Sequence, residues 1–148
     1  NFPHKRQYPL KPKAKQGLQP LIDKFLKHGF LIHVSLLVIL LVLPNQKQTE
    51  YRLVQDLRAI NEAVIPLHPK VPNPSTTFTQ ISEDTNWLMI LDLKDAFFCI
   101  PLCLDCHYLF AFERTNPENS ISWQYTWAVL PPGFRDSHHL FRNALAQE

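Results

Sequence analysis

The chain has 148 residues, 45% of them hydrophobic and 19% charged, which is the size and composition of one folded domain and excludes a disordered chain. Its 13 prolines stand against 3 glycines, which excludes a glycine-rich phosphate loop of the Walker or dinucleotide type, and its 3 cysteines exclude a disulfide scaffold. Net charge is only +2, yet residues 1–30 carry seven Lys/Arg against one acid, Asp23; a basic arm beside an acidic body suits a polyanion partner as well as it suits a solvated lysine face.

The arm, Asn1 to Lys15, is polar and proline-rich and carries neither an initiator Met nor a signal peptide. Both ends of the chain read as cuts in a longer, intracellular polypeptide. Leu18, Leu21, Ile22, Phe25 and Leu26 follow i, i+3, i+4, i+7, i+8 and predict an amphipathic helix, with Pro20 near its start. Lys24, Lys27 and His28 fall in its last turns, where the helix dipole favours cations, and Gly29 is placed to stop it. Strands are expected at 30–34, 38–43 and 51–55. The run of eight apolar residues from Leu36 to Leu43 falls short of the roughly 20 that a membrane span needs, so no membrane is expected.

Asp56 is placed to cap a short helix running through Asn61 and Glu62. Four prolines in 66–75 make that stretch an extended connector. Residues 87–93, WLMILDL, read as a buried strand, and Asp95 then caps a helical turn, DAFFC, that Pro101 stops. Segments 107–113 and 122–128 flank the polar turn RTNPENS and predict an antiparallel hairpin. Asp136 and Ser137 open a last helix with Leu140, Phe141, Ala144 and Leu145 on one face. Helices and strands mix without strict alternation, so the class is α+β.

Asp92 is the most informative residue. A carboxylate ending an apolar strand is costly unless something pairs with it, and the layout suits a hard cation such as Mg²⁺. The plainer alternative is an Asp that caps the turn or pairs with an arginine.

Six blocks then fall in order: YRLVQDLRAIN (51–61), VPNP (71–74), LDLKDAFFCIPL (91–102), YLFAFE (108–113), QYTWAVLPPGF (124–134) and LFRNALA (140–146). Together they resemble the reverse transcriptase of gammaretrovirus-like and endogenous-retroviral pol proteins, over nearly the whole chain. The resemblance implies the fingers and the first part of the palm of a right-hand polymerase. Residues 1–86 would be arm and fingers, 87–102 the palm strand with the catalytic aspartate, 103–128 a fingers hairpin and 129–148 the start of a palm helix.

The resemblance also implies roles. Asp92 matches the catalytic aspartate that holds Mg²⁺, helped by the backbone carbonyl of Leu93, in a two-metal displacement. Phe97 matches the gate that excludes a 2′-OH; its plain alternative is a core aromatic, a role that suits its neighbour Phe98 better. Arg52 matches the arginine that reaches the triphosphate, where a planar guanidinium can both pair and stack. The N–H groups of Asp95 and Ala96 would face phosphate, and Lys47 is the one loose candidate for a phosphate-gripping lysine. Arg58 and Asn61 would place the template. The implied partners are an RNA or DNA template–primer, deoxynucleoside triphosphates and the rest of a pol polyprotein.

Departures from the family pattern are equally specific. The further carboxylates, in a Tyr-x-Asp-Asp turn, are expected beyond Glu148, and the family's LPQGF reads LPPGF, with Pro132 in place of the glutamine. The isolated chain is therefore expected to be inactive, and the pattern is that of a decaying endogenous copy. A rival reading comes from Cys103-Leu-Asp-Cys106-His107, a C-x-x-C-H of the haem-attachment type that with Cys99 offers four soft ligands for zinc. The spacing is compressed and no second pair occurs, so incidental free thiols are preferred. His138-His139 is read as a polar surface pair. Trp123, Tyr125 and Trp127 share one strand face, which could stack bases but more often packs on a core.

Overall fold

A computed structural model describes residues 10–35, 42–47, 50–67, 75, 79–116 and 118–147, with 42–47 and 50 described by their backbone. Helix α1 spans Pro12–Lys27, with proline in its first turn, where the missing N–H costs nothing. It begins well before the apolar periodicity, so Pro20 lies inside the helix rather than near its start. Pro20 is on the exposed side, where water can take the carbonyl that its absent N–H leaves unpaired.

The helix ends as its sequence indicates. The Gly29 N–H donates to the Leu26 carbonyl at 3.0 Å and the Phe30 N–H to the Phe25 carbonyl at 2.9 Å, with Gly29 at φ 71°. This is a Schellman motif, and its customary apolar contact is the Phe25–Phe30 ring pair, 6.1 Å between centroids.

The chain then enters β1 (Leu31–His33), which pairs with β5 (Ser122–Trp127); β5 pairs on its other side with β4 (Phe112–Thr115). All pairings are antiparallel, with Leu31 opposite Trp127 and Phe112 opposite Tyr125. A separate two-stranded ribbon joins β2 (Val42–Lys47) to β3 (Glu50–Gln55). Residues 38–41 of one expected strand, residues 68–74 of the expected connector and residues 1–9 of the basic arm lie outside the described residues.

The core gathers Leu18 and Ile22 of α1, Leu31, Leu53, Leu57, Ile60, Phe110, Phe112, Tyr125 and Trp127. Gly17 lets the helix lie against β3: a β-carbon there would overlap the Tyr51 ring.

Asp56 stands one residue ahead of the N-cap of α2 (Arg58–Ala63) and its carboxylate accepts the Arg58 N–H at 3.2 Å, close to the capping role expected. The last helix, α3 (Ser137–Leu145), starts as expected, but Asp136 makes no side-chain cap and Leu145 stays exposed.

Two expected strands are corrected. The first hairpin arm begins at Phe112, because residues 104–110 form a 3₁₀ helix. Its carbonyls are taken by side chains: the Thr126 hydroxyl donates to the His107 carbonyl at 2.5 Å and the Gln55 amide to the Phe110 carbonyl at 2.9 Å. His107 is accordingly buried in that turn instead of opening a strand.

The second correction is larger. Residues 87–93 are neither buried nor a strand; they run without regular structure, and Trp87, Leu88, Met89, Ile90, Leu91 and Leu93 are all exposed. Apolar β-formers make a strand only where an edge and a covering face exist, and neither is supplied by the described residues. Among those residues no helix is long and apolar enough to cross a membrane.

Candidate functional site

The stretch from Asp92 to Leu102 changes character within a few residues. Asp92 presents an exposed carboxylate. Asp95 adopts the left-handed conformation, φ 56°, which a short polar side chain tolerates. That reversal starts a 3₁₀ turn over Ala96–Cys99, in which the Asp95 carbonyl accepts the Phe98 N–H at 3.0 Å. The expected cap is thus a backbone bond; the Asp95 side chain makes none. Asp95 and Ala96 form the mouth of the turn, where the first N–H groups have no partner inside it.

Beyond the turn the chain is pinned to the end of β5. Leu102 N–H donates to the Ala128 carbonyl and Leu130 N–H to the Ile100 carbonyl, both at 2.9 Å, around a bridge between Pro101 and Val129.

The two adjacent phenylalanines part ways. Phe98 enters the core, stacked on Trp127 at 5.7 Å and tilted against Phe30 at 4.8 Å. Phe97 turns to α3, edge-on to His138 at 4.9 Å and to Phe141 at 6.1 Å. The turn that follows Asp92 by a few residues thus carries a half-buried ring fixed from two sides. His138 therefore contributes more than the polar surface expected of it.

The other candidate residues lie on the β2–β3 ribbon and around α2. Arg52 is exposed on β3, on the face opposite the buried Leu53 and Gln55. Lys47 pairs with Glu50 at the tip of the β2–β3 ribbon; its side chain lies outside the described atoms. Arg58 grips Asp56 through two bonds, Nε–H at 2.8 Å and Nη–H at 2.7 Å, with its side chain 76% exposed.

Asn61 is engaged at both ends of its amide. Its NH₂ donates to the Gly133 carbonyl at 3.0 Å and its oxygen accepts the Arg135 N–H at 2.9 Å. The loop it holds is a tight turn over Pro131–Phe134, with Gly133 at φ 90° and the Phe134 N–H on the Pro131 carbonyl at 3.4 Å. Proline at the second and glycine at the third position suit a type II turn, which gives Pro132 a backbone rationale.

Two buried polar residues were not legible as such in the sequence. Gln55 accepts the Trp127 indole N–H at 2.9 Å while donating to the Phe110 carbonyl, so one side chain ties β3, the 3₁₀ helix and β5 together. Its only advance signal was a polar residue closing an otherwise inward-facing strand register. Arg114 is buried with its NηH₂ donating to the Lys15 carbonyl, while its Nε and other Nη have no partner among the described residues. Burial lowers the Arg114 pKa, partly offset by Tyr125 and Asp23; burial raises that of Tyr125, partly offset by the Arg114 charge.

The single exposed carboxylate of Asp92 does not by itself make a divalent-cation site. Among the described residues no three of His, Cys, Asp and Glu gather as metal ligands, so the donor set for a metal ion is not complete here. The same finding corrects the Cys/His reading. Cys99 and Cys103 are exposed free thiols, and buried His107 has Nε2 at 3.3 Å from the Leu102 carbonyl. The aromatic stripe of β5 is mostly packing: Trp127 and Tyr125 are buried, and Trp123 lies half-exposed at its end, edge-on to His33.

Residues 43–147 match the family described as reverse transcriptase (RNA-dependent DNA polymerase). The chain is 45% identical over 145 residues to the Pol polyprotein of Feline endogenous virus ECE1, covering 97% of this chain and 14% of that protein. It is 44% identical to the Gag-Pol polyprotein of Avian reticuloendotheliosis virus and 43% to that of Gibbon ape leukemia virus, again over 97% of this chain but 13% and 9% of theirs. Among solved structures, the foamy viral protease-reverse transcriptase in complex with double-stranded DNA superposes with a TM-score of 0.72 at 27% identity, over 97% of this chain and 24% of that one. The Prototype Foamy Virus protease-reverse transcriptase CSH mutant gives a TM-score of 0.75, also at 27% identity, over 97% and 19% of the two chains. The chain thus spans about a seventh or less of the length of these polyprotein relatives.

Proposed function

The chain belongs to the reverse transcriptase family as a stretch of a retroviral Pol, and on that premise we propose how its residues divide the work of RNA-directed DNA synthesis. Residues up to 86 and the 103–128 hairpin form the fingers, 87–102 carry the palm's catalytic aspartate, and 129–148 begin a palm helix. Asp92, with the Leu93 carbonyl, holds divalent metal, Mg²⁺ in this reading. Phe97 gates the sugar. Arg52, the N–H groups of Asp95 and Ala96, and Lys47 receive the triphosphate. Arg58 meets the template, and Asn61 serves it indirectly by holding the 131–135 loop.

One observation carries this reading. The Asp92 carboxylate is open to solvent beside a turn whose Phe97 ring is fixed edge-on from α3. Aspartate sealed in hydrocarbon, or spent on capping, would not support it.

The 148 residues contain no Tyr-x-Asp-Asp sequence, and the donor set around Asp92 is partial, so no chemical step is assigned to this chain alone. Its own activity is to bind template–primer through the exposed Arg52 and Arg58 and the lysines of α1. The purified chain should show no primer extension. It should bind a template–primer duplex at low salt, with log K falling by about 0.9 per phosphate contact for each tenfold rise in salt. Arg52→Ala should weaken that binding. Primer extension that Asp92→Asn abolishes would refute the inactivity, and an absence of binding at low salt would refute the nucleic-acid role.

A further inference from the structure

We propose that Cys103 and Cys106 are a redox site, a dithiol that the fold holds ready to close into a disulfide by exchange with a small disulfide of the glutathione class. Both are free thiols, Cys103 exposed and Cys106 partly buried. Cys103 is the extended N-cap of the 3₁₀ helix Leu104–Phe110, with φ −59° and ψ 139°, and its carbonyl accepts the Cys106 N–H at 2.9 Å. A turn closed by that bond brings its two end α-carbons within about 7 Å, and side chains three apart on a 3₁₀ helix lie one above the other. A disulfide spans α-carbons about 4.4–6.8 Å apart, so the bond can form with little backbone movement.

The fold fixes this turn from both sides. Leu102, just before it, donates its N–H to the Ala128 carbonyl at 2.9 Å, and the His107 carbonyl, just after it, accepts the Thr126 hydroxyl at 2.5 Å. The His107 ring reaches back across the turn, with Nε2 at 3.3 Å from the Leu102 carbonyl. The two thiols are thus held at turn spacing before any bond joins them, which raises the effective concentration of each toward the other. Cys99 is no competitor for Cys103. Ile100 is extended and Pro101 bridges to Val129, so Cys99 lies four extended residues, roughly 13 Å, before Cys103, which is farther than a disulfide spans. The exchange runs in two steps. The exposed Cys103 thiolate attacks one sulfur of the small disulfide, forming a mixed disulfide and expelling one thiolate. The Cys106 thiolate then attacks the Cys103 sulfur and expels the second. The chain gives up two electrons and two protons, and the small disulfide leaves as two thiols. No metal, nucleotide or template takes part, so the site stands or falls separately from the polymerase assignment.

The test equilibrates the purified chain with mixtures of oxidised and reduced glutathione, quenches with acid and reads the intact mass. The folded chain should lose the mass of two hydrogen atoms and leave Cys99 open to alkylation. Cys99→Ser should close in the same way. In that background, Cys103→Ser or Cys106→Ser should stop at a mixed disulfide, one glutathione heavier. The equilibrium constant for closure should be about tenfold larger in the folded parent chain than in denaturing urea, the order set by the closure entropy of so short a loop. That comparison needs no substitution. A parent chain that only gains glutathione, a disulfide that includes Cys99, or closure equally favourable in urea would each overturn the proposal.

Discussion

Two tryptophans of this chain sit in stretches of similar strand-forming character and meet opposite fates. Trp127, in β5, is fully buried between Phe25 and Phe98, opposite Leu31 of β1, with its indole N–H on Gln55. Trp87 is 91% exposed. The residues themselves are not what separates them, since WLMILDL is the more apolar of the two stretches. β5 has a strand on each side and a helix across one face, whereas 87–93 has neither within the described residues. Strand propensity is a preference for a half-covered pleated surface, and it builds nothing where the cover is missing.

Mutation can test that contrast. Trp127→Ala should lower the unfolding free energy by about 3–5 kcal/mol, because it empties a packed aromatic site and strips the Gln55 oxygen of its donor. Trp87→Ala should stay within about 0.5 kcal/mol, the range of exposed substitutions. Denaturant titration of both variants would measure the difference directly, and comparable losses would mean that 87–93 is packed in solution.

A smaller effect is expected at Gly17, inside the packed region. Alanine there gains about 1 kcal/mol of helix propensity but drives a methyl into the Tyr51 ring, an overpacking worth about 1–3 kcal/mol. The expected net result is destabilisation, the reverse of what an open helix position would give. A raised melting temperature for Gly17→Ala would show that α1 does not lie this close to β3.

The smallest effect concerns pH. Because burial raises the Tyr125 pKa in the folded state, the folded chain holds that proton more tightly than the unfolded chain. Its contribution is therefore complete below the ordinary tyrosine value of 10.0 and declines as pH rises above it. Tyr125→Phe should flatten the fall in stability on the alkaline side of that value, and an unchanged slope would place Tyr125 in solvent. The open 87–93 stretch holds no tyrosine, so this dependence reports on the packed region alone.

Much of the fold was legible because its signals are local. The spacing of Leu18, Ile22 and Phe25 fixed the face of α1, and Gly29 fixed its end through a conformation that glycine adopts without strain. The hairpin followed from two aromatic runs flanking a polar turn. What was misread depended on partners distant in sequence. Residues 107–110 are apolar enough for a strand, but Thr126 and Gln55 take the carbonyls that a strand would have needed. Pro20 was tolerated because it faces water. The candidate site divided in the same way: motif order brought Asp92, Phe97 and Arg52 into view, whereas the engagement of Asn61 with Gly133 and Arg135 spans more than 70 positions and left no trace in local spacing.

The amino-acid sequence by itself determined the family of this protein, the end of its first helix, its central hairpin and the identity of the acid at position 92. These are written in short-range pattern and in motif order. Tertiary structure alone decided that Phe98 packs in the core while Phe97 faces α3, that Gln55 ties three elements together, and that the apolar stretch 87–93 lies open. Each of those outcomes depends on whether a partner surface is present, and burial is a property of the pair of surfaces, not of either sequence.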